Sequence, residues 1–587
     1  MIGIVWPRGP LRIVLAALMV VAAPSHAAEN AVTAESLQDQ PLLQVEAPLA
    51  QPVTVVQSAV TTQTLSDITL DSLGITDPKR SLPIEMWRNT NYDQALRLIA
   101  SLPNQVQAPS ARELQVNMLL SAARPPERSG KFVPGDALLL WQRVDKLWQM
   151  GQWTAFGELV QSLPKNILPQ GVRQNYLLAQ IIGGQADPAC AEVTKLAKEF
   201  ANDLFWHQGE IYCALKSGDN DRARLQHELW REKKPGAEND WDRLLTAALG
   251  GKPAAAMTAN ESWQAWHWLL ILQTKLQPKV ADVKILKDTI VQVVALNTDA
   301  LSVAQKIEVA EKLALQGSIS GRKLGEIYAL LPPAPPKDAA QTASIRRAIA
   351  WQQEQAITDV AARALALSDH WHSAKGEAER RVIALSRLPW LSTLNPQQPE
   401  LAFLSPVAVR ALILSGQSNL AQNWLQTTGQ DSIEAGKNWP YLRLSRSWPT
   451  APRPLQSAAK TWAESVLAQN PRELEQQLAW VELLARALGD NDAVFDRATI
   501  SATPSADSLG VIAKQSLSPA LQSGLMSALR RQTLGEGALL SLLAVRGPAL
   551  GGVSADGMVR VLETLSRFGL GAVAKNLALE TMVVNDI

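Results

Sequence analysis

Helical periodicity is the feature that most constrains the fold of this chain. From Leu82 onward, apolar residues recur about every 3.6 positions. In the first such stretch, one helical face carries Ala95, Leu98, Ile99 and Leu102. The sequence between residues 82 and 587 lacks a sustained alternation of apolar and polar residues, which is the pattern of a strand that faces a core. The sequence therefore predicts an all-α fold.

A recurring turn indicates how the helices are joined. It consists of Gly, four residues and then an Ala, and it occurs at 218–223, 416–421 and 569–574, with a shorter version at 489–493. Gly suits the left-handed position after a helix, and Asp or Asn caps the helix that follows. Such joints predict helical hairpins, and hairpins in series form an α-solenoid that resembles tetratricopeptide-like repeats. A set of unrelated helical bundles is the alternative.

Composition divides the chain further. Residues 331–339 are rich in proline and cannot lie inside a helix, so we predict a linker there. It separates an N-terminal helical-repeat array at 81–330 from a C-terminal array at 340–587. Residues 28–80 contain no aromatic residue, and seven acidic residues precede their first basic residue, Lys79. This composition predicts a disordered acidic linker.

Residues 1–27 are typical of a signal peptide. Arg8 and Arg12 precede an apolar run of eleven residues, and Ser25-His26-Ala27 then supplies small residues at the −3 and −1 positions of a cleavage site. Eleven helical residues span about 16 Å, which is about half of the hydrocarbon core of a membrane. A cleaved signal is therefore favoured over a membrane anchor. We expect a periplasmic protein that is cleaved near Ala27 and has no stable membrane span afterwards.

The two cysteines, Cys190 and Cys213, are predicted to form a disulfide. They lie about twelve residues before and about eleven residues after the predicted hairpin joint near residues 201–202, so they are level on two antiparallel helices. An oxidising compartment allows such a bond to persist. Two buried free thiols are the alternative.

Motifs for catalysis and metal binding are missing from the sequence. It contains no HExxH, no GxSxG, no P-loop and no GxGxxG. The densest group of ligand-type residues is Asp369-His370-Trp371-His372, but residues two apart on a helix point in different directions, which favours an ordinary helix end. We predict no enzyme activity, no catalytic residues, no metal and no cofactor. The balance of 56 Lys and Arg against 55 Asp and Glu argues against a nucleic-acid partner.

Tryptophans provide one candidate ligand platform. Trp263 and Trp266 share a face of a predicted helix, and exposed indoles can stack on a sugar or a peptide. At helical spacing, indoles that fill gaps between repeats are the favoured alternative.

Several passages resemble an uncharacterised family of exported helical-repeat proteins of alphaproteobacteria. They are Leu82-Pro83 with Trp87, the Ala122-Ala-Arg-Pro-Pro126 segment, the two cysteines and the 569–580 stretch. The resemblance implies an exported α-solenoid and supplies no catalytic residues.

Together these features predict a non-catalytic periplasmic scaffold or adaptor. It would bind other envelope proteins in assembly, secretion or motility through a solenoid surface. The alternative is a peptidoglycan-processing or peptidoglycan-binding protein, similar to the helical ring of soluble lytic transglycosylases. The sequence leaves the oligomeric state open.

Overall fold

A computed structural model describes the chain from residue 69 to residue 587, with gaps at 129–136, 234–235, 237–238, 251–256, 333–341, 428–431, 446–453, 470, 491–515 and 547–549. Within these described residues there are 25 α-helices, and extended pairing is limited to three isolated bridges. The predicted signal peptide and most of the predicted linkers at 28–80 and 331–339 lie outside the described residues.

Thirteen of the described helices precede the proline-rich segment. They are α1 Tyr92–Ser101, α2 Pro109–Leu120, α3 Leu138–Gln149, α4 Trp153–Gln161, α5 Gln170–Ile182, α6 Ala186–Glu199, α7 Leu204–Lys216, α8 Asn220–Lys233, α9 Asp240–Ala248, α10 Ala265–Thr274, α11 Thr289–Leu296, α12 Val303–Leu315 and α13 Gly321–Tyr328.

Twelve described helices follow it. They are α14 Ala343–Ala356, α15 Val360–Ser373, α16 Glu377–Leu391, α17 Ser405–Leu414, α18 Ser418–Thr427, α19 Ile433–Ser445, α20 Pro454–Gln469, α21 Pro471–Ala487, α22 Pro519–Arg531, α23 Leu534–Ala544, α24 Ala555–Arg567 and α25 Gly571–Val584. Most consecutive helices pack against each other.

The Gly turns join helical hairpins as predicted. Gly218 and Gly416 have φ angles of 80° and 76°, in the left-handed region, and each lies between two consecutive helices. The Ala residues that close these turns, Ala223 and Ala421, are buried. Their small side chains allow the two helices of a hairpin to approach closely. The all-α helical-repeat fold is confirmed.

Buried apolar side chains form two cores, and these divide the chain differently from the two predicted arrays. The first, here called the central core, contains buried residues of 177–348 together with Val382. The second, here called the end core, combines buried residues of 82–163 with those of 364–587. Helices α1 to α4 therefore share a core with the C-terminal helices, although the sequence assigns them to the N-terminal array.

The end core brings the first helices against the last ones. Helix α1 contacts α23, and α2 contacts both α23 and α25. The backbone N–H of Gly535 donates to the carbonyl of Met86 at 2.7 Å, and the amide of Gln94 donates to Glu536 at 2.5 Å. Contacts between residues more than 400 positions apart thus close this core.

The start of α2 also contacts three helices that are distant in sequence. The backbone N–H of Ser110 donates to the Glu580 carboxylate of α25 at 2.9 Å. The Arg381 guanidinium of α16 donates to the carbonyl of Gln107 at 3.2 Å, and Arg112 donates to the last carbonyl of α12 at 3.1 Å. Residues 107–112 therefore form a polar junction between the two halves of the chain.

The structure corrects the C-terminal end of the predicted acidic linker. Residues 69–80 are ordered and pack against α1 to α3. Asp71 is buried, and its carboxylate accepts a hydrogen bond of 2.6 Å from the hydroxyl of Tyr92. The guanidinium of Arg143 donates to the carbonyls of residues 71 and 73 at 3.3 and 2.9 Å. The composition of this segment predicted disorder, but its few apolar and acidic residues make specific contacts with α1 to α3.

None of the helices in the described part of the chain combines the length and the apolar character that a membrane span requires.

Candidate ligand-binding groove

The two cysteines lie at disulfide distance in the structure. The Sγ atoms of Cys190 and Cys213 are 2.00 Å apart, and the bond joins α6 to α7. Asp203 caps α7 as the sequence predicts, because its carboxylate accepts from the backbone N–H of Phe205 at 2.9 Å. The disulfide therefore stabilises the hairpin whose second helix begins at the candidate site.

The structure places Trp263 and Trp266 in the central core, so the exposed indole platform that the sequence offered as a candidate is not formed. Trp263 is 3% exposed, and its Nε1–H donates to Asp240 at 2.9 Å. Trp266 is 1% exposed and packs with its ring centroid 5.2 Å from that of Phe205. The ring of His267 stacks on Trp263, and burial lowers the pKa of His267 to about 4. These indoles fill the space between helices.

Next to this aromatic cluster lies a groove formed by two adjoining cavities of about 480 and 550 Å³. We call it the amide groove. Its walls come from the loop after α1, the last turn of α3, α5, and the N-terminal ends of α7, α10 and α11. The two cavities share three lining residues, Gln174, Phe205 and Gln264.

Carboxamide side chains dominate the polar lining of this groove. The eight amides are Asn104, Gln105, Gln149, Gln170, Gln174, Asn175, Gln208 and Gln264. The charged side chains are limited to Asp203, Lys287 and Asp288. A carboxamide donates and accepts hydrogen bonds at the same time, so the groove can complement neutral polar groups of both kinds.

Several of these amides are held in place by charged neighbours. Lys146 donates to the carboxamide oxygen of Asn104 at 3.0 Å, and Asp203 accepts from the amide nitrogens of Gln170 and Gln174, the latter at 3.0 Å. Gln105 and Gln264 are exposed. In each anchored amide, the carboxamide oxygen or nitrogen that is not bound within the protein can hydrogen-bond a ligand. Because the side chain is already held in place, binding costs less side-chain entropy.

Apolar side chains form the base of the groove. Trp148 and Phe205 are half-buried, whereas Trp266, Leu178 and Ile290 are buried. The Nε1–H of Trp266 has no hydrogen-bond partner among the described residues. The groove thus combines an apolar base with a neutral polar rim, which is typical of sites that bind small molecules or peptides.

This groove could not be predicted from the sequence. Its amides come from separate segments at 104–105, 149, 170–175, 208 and 264, and they share no motif. The feature of the sequence that comes nearest to indicating the groove is the position of two amides at helix starts. Gln170 is the first residue of α5, and Gln264 directly precedes α10. Of the two tryptophans that the sequence analysis selected, Trp266 does line the groove, at its base.

Residues of the 369–372 group have structural partners, and so do two buried glutamates of the C-terminal helices. His370 and His372 lie in the last turn of α15, where His370 contacts the buried carboxylate of Glu354. Glu536 is 1% exposed and pairs with Arg531 at 2.6 Å. Burial raises the pKa of Glu580 to about 7. Within the described residues, no group of three or more His, Cys, Asp or Glu side chains could hold a metal ion.

Comparison of the chain with protein-family models, curated proteins and solved structures finds no match.

Proposed function

We propose that this protein is a non-catalytic periplasmic adaptor that binds an extended segment of a partner protein in the amide groove. The observation that carries the proposal is the set of eight carboxamides above an apolar base. A scaffold role agrees with the helical-repeat fold, because such arrays bind partners on extended surfaces.

The chemistry of the groove suits a polypeptide backbone. An extended peptide presents unpaired N–H and C=O groups in alternation, and a carboxamide can bind either one. Alternate side chains of the peptide would then contact the apolar base near Phe205 and Ile290. Because few charged groups line the groove, the main chain and apolar side chains would contribute more to binding than the charge of the partner.

Export is part of the proposal and has separate support. The first 27 residues have the pattern of a signal peptide, and the Cys190–Cys213 pair is compatible with an oxidising compartment. Envelope assembly, secretion or motility is the expected setting.

The alternative, a peptidoglycan-processing or peptidoglycan-binding protein, has less support from the geometry. Sugar rings stack on the open faces of aromatic side chains. Trp263 and Trp266 have no such face, since both are buried. Glu536 is occupied by Arg531, which leaves it poorly placed to protonate a glycosidic oxygen. Incubation of the purified protein with cell wall tests this alternative, because a processing enzyme would release soluble fragments.

Site-specific photo-crosslinking in cells tests the adaptor proposal. A photoreactive amino acid replaces Gln264 or Gln170 in the groove, and the matched control carries it at Gln397, an exposed glutamine in the loop after α16. We expect both groove positions to capture the same partner protein through one continuous segment, and the control to capture none. Capture of glycan alone, or equal capture at all three positions, would contradict the proposal.

A further inference from the structure

A small cavity of about 150 Å³ lies between α6, α7 and α8, next to the amide groove. Its volume is about half of the smallest volume that is usual for small-molecule pockets, so it matches a single side chain rather than a whole ligand. The rings of Phe200, His207 and Trp230 line it. We call it the aromatic slot because of these rings.

The aromatic slot and the amide groove lie on neighbouring faces of α7. Asp203, His207 and Glu210 line the slot at intervals of four and three residues, which is the spacing of one helical face. Phe205 and Gln208 line the groove on the adjacent face. Asp203 lines both cavities. A side chain of a segment that lies in the groove can therefore enter the slot beside Asp203.

The three rings that line the slot are half-buried and held by neighbouring side chains. The ring of His207 stacks on the indole of Trp230, with centroids 4.8 Å apart and planes inclined by 23°. The ring of Phe200 stacks on the buried Trp206 at 5.9 Å. Leu229 also lines the slot and is 43% exposed, so the methylene groups of a long side chain can pack against it. Indole rings attract cations, because their faces carry partial negative charge.

Glu210 is the carboxylate of the slot that has no hydrogen-bond donor. It is half-buried, and within the described part of the chain it forms no hydrogen bond and no ion pair. Burial raises the pKa of Glu210, and the charges of the exposed Arg222 and Lys198 oppose this shift without reversing it. A carboxylate that has lost part of its water and has no donor is stabilised by a ligand that donates hydrogen bonds to it.

Asp203 adds negative charge to the slot but is already hydrogen-bonded. Its carboxylate accepts from the backbone N–H of Phe205 at 2.9 Å, from the amide of Gln174 at 3.0 Å and from the amide of Gln170. The described residues that line the slot thus include two carboxylates and no Lys or Arg, and the two exposed cations near Glu210 lie outside this lining. The slot therefore favours a cationic side chain, with Glu210 as its acceptor.

We propose that the aromatic slot binds one arginine side chain of the partner segment that lies in the amide groove. The guanidinium donates to the Glu210 carboxylate and lies against the exposed part of the Trp230 indole, while the methylene groups pack on Leu229. Arginine fits better than lysine, because its planar and weakly hydrated head group both stacks on a ring and donates to a carboxylate. The inference rests on the proposed function only for the origin of the arginine, since Glu210 and Trp230 do not line the groove.

Fluorine NMR of the full-length protein labelled with fluorotryptophan tests the slot directly. The resonance of Trp230 is identified by its loss in Trp230→Phe, and N-acetylarginine amide is titrated at about pH 8, where an ordinary histidine is neutral. We expect a saturable shift of this resonance. N-acetylcitrulline amide has a similar shape but no charge, and it should bind at least about tenfold more weakly. The absence of a saturable shift, or equal affinities for the two probes, would overturn the proposal.

Variants locate the binding site within the slot. Glu210→Gln keeps the size of the side chain but removes its charge, and it should weaken the binding of N-acetylarginine amide about tenfold. The matched control is Glu228→Gln, which removes an exposed carboxylate of α8 that does not line the slot and should have no effect. Ala201→Phe fills the slot from an exposed position without a change in charge, and it should abolish binding. Unchanged affinity in Glu210→Gln or in Ala201→Phe would show that arginine binds elsewhere and would overturn the proposal.

The partner segment captured by photo-crosslinking at Gln170 separates this inference from the proposed function. The amide of Gln170 contacts Asp203, so the segment captured there should contain an arginine close to the crosslinked residue. A captured segment without arginine would overturn the inference and leave the adaptor proposal intact. Saturable binding of N-acetylarginine amide without capture of any partner would instead contradict the adaptor proposal and support the slot as an arginine site.

Discussion

The end core and the central core are built from similar helices, but they are closed in different ways. The central core is formed by consecutive helices and carries a covalent link between α6 and α7. The end core joins α1 to α4 to helices of the C-terminal half, and the buried carboxylates of Glu536 and Glu580 accept hydrogen bonds across it. We therefore expect the central core to depend on local contacts and the end core on long-range polar contacts.

The largest effect is expected from the loss of Arg143 in the end core. This side chain is 0% exposed and donates to four backbone carbonyls at 2.7 to 3.3 Å. Arg143→Met leaves those carbonyls without a donor, so we predict a loss of about 4 kcal/mol in the free energy of unfolding, measured by denaturant titration. Arg97→Met, an exposed position on α1, is the control and should change stability little.

Removal of the disulfide should affect the central core instead. The cysteines are 23 residues apart, and a loop of that length contributes about 3 kcal/mol in the chain-entropy model. Cys190→Ser with Cys213→Ser should therefore lower the free energy of unfolding by about 3 kcal/mol. Hydrogen exchange should accelerate in α6 and α7 and stay unchanged in α1 and α2. Equal acceleration in both regions would show that the two cores do not unfold separately.

A smaller loss of stability should follow from a larger side chain at the contact between Gly535 and Trp87. A Cβ atom on Gly535 would lie 2.5 Å from the indole of Trp87, so Gly535→Ala forces α23 away from residues 86–87. We predict a loss of about 2 kcal/mol, measured by thermal unfolding. Gly157→Ala is the matched control, because a Cβ at that helical position meets no atom within 4 Å. The control should be neutral or slightly stabilising.

The last prediction concerns pH and the polar junction. Burial raises the pKa of Glu580 from its ordinary value of 4.5 to about 7. Between these two pH values the folded state binds a proton that the unfolded state has lost. The contribution of Glu580 to stability is therefore complete below pH 4.5 and declines as the pH rises toward 7. Glu580→Gln should remove this decline, as followed by unfolding titrations at several pH values. Glu113→Gln, which is exposed on α2, should retain it.

The sequence was sufficient for features that depend on neighbouring residues. The Gly218 and Gly416 turns and the Asp203 cap are local, and the cysteine pairing follows from one hairpin. Features that depend on distant residues could not be predicted. The amides of the groove come from five segments, α1 and α2 pack against helices of the C-terminal half, and the burial of Trp263 and Trp266 depends on helices that surround them.

Asp71 illustrates the same limit at a single position. Its segment has the composition of an acidic linker, yet the hydroxyl of Tyr92 and the backbone N–H of Leu140 both donate to its carboxylate. Composition measures the average tendency of a segment to bury apolar surface. Composition does not show whether a particular carboxylate accepts a hydrogen bond from another residue in the folded structure.

The most direct test of the central claim is the affinity of the amide groove for the partner segment that crosslinking identifies. That segment, as a synthetic peptide, is titrated into the protein and into the Gln105→Ala, Gln264→Ala double variant, which loses two exposed carboxamides of the groove. Loss of two hydrogen bonds to the peptide backbone predicts about tenfold weaker binding. An unchanged dissociation constant in the double variant would contradict the account.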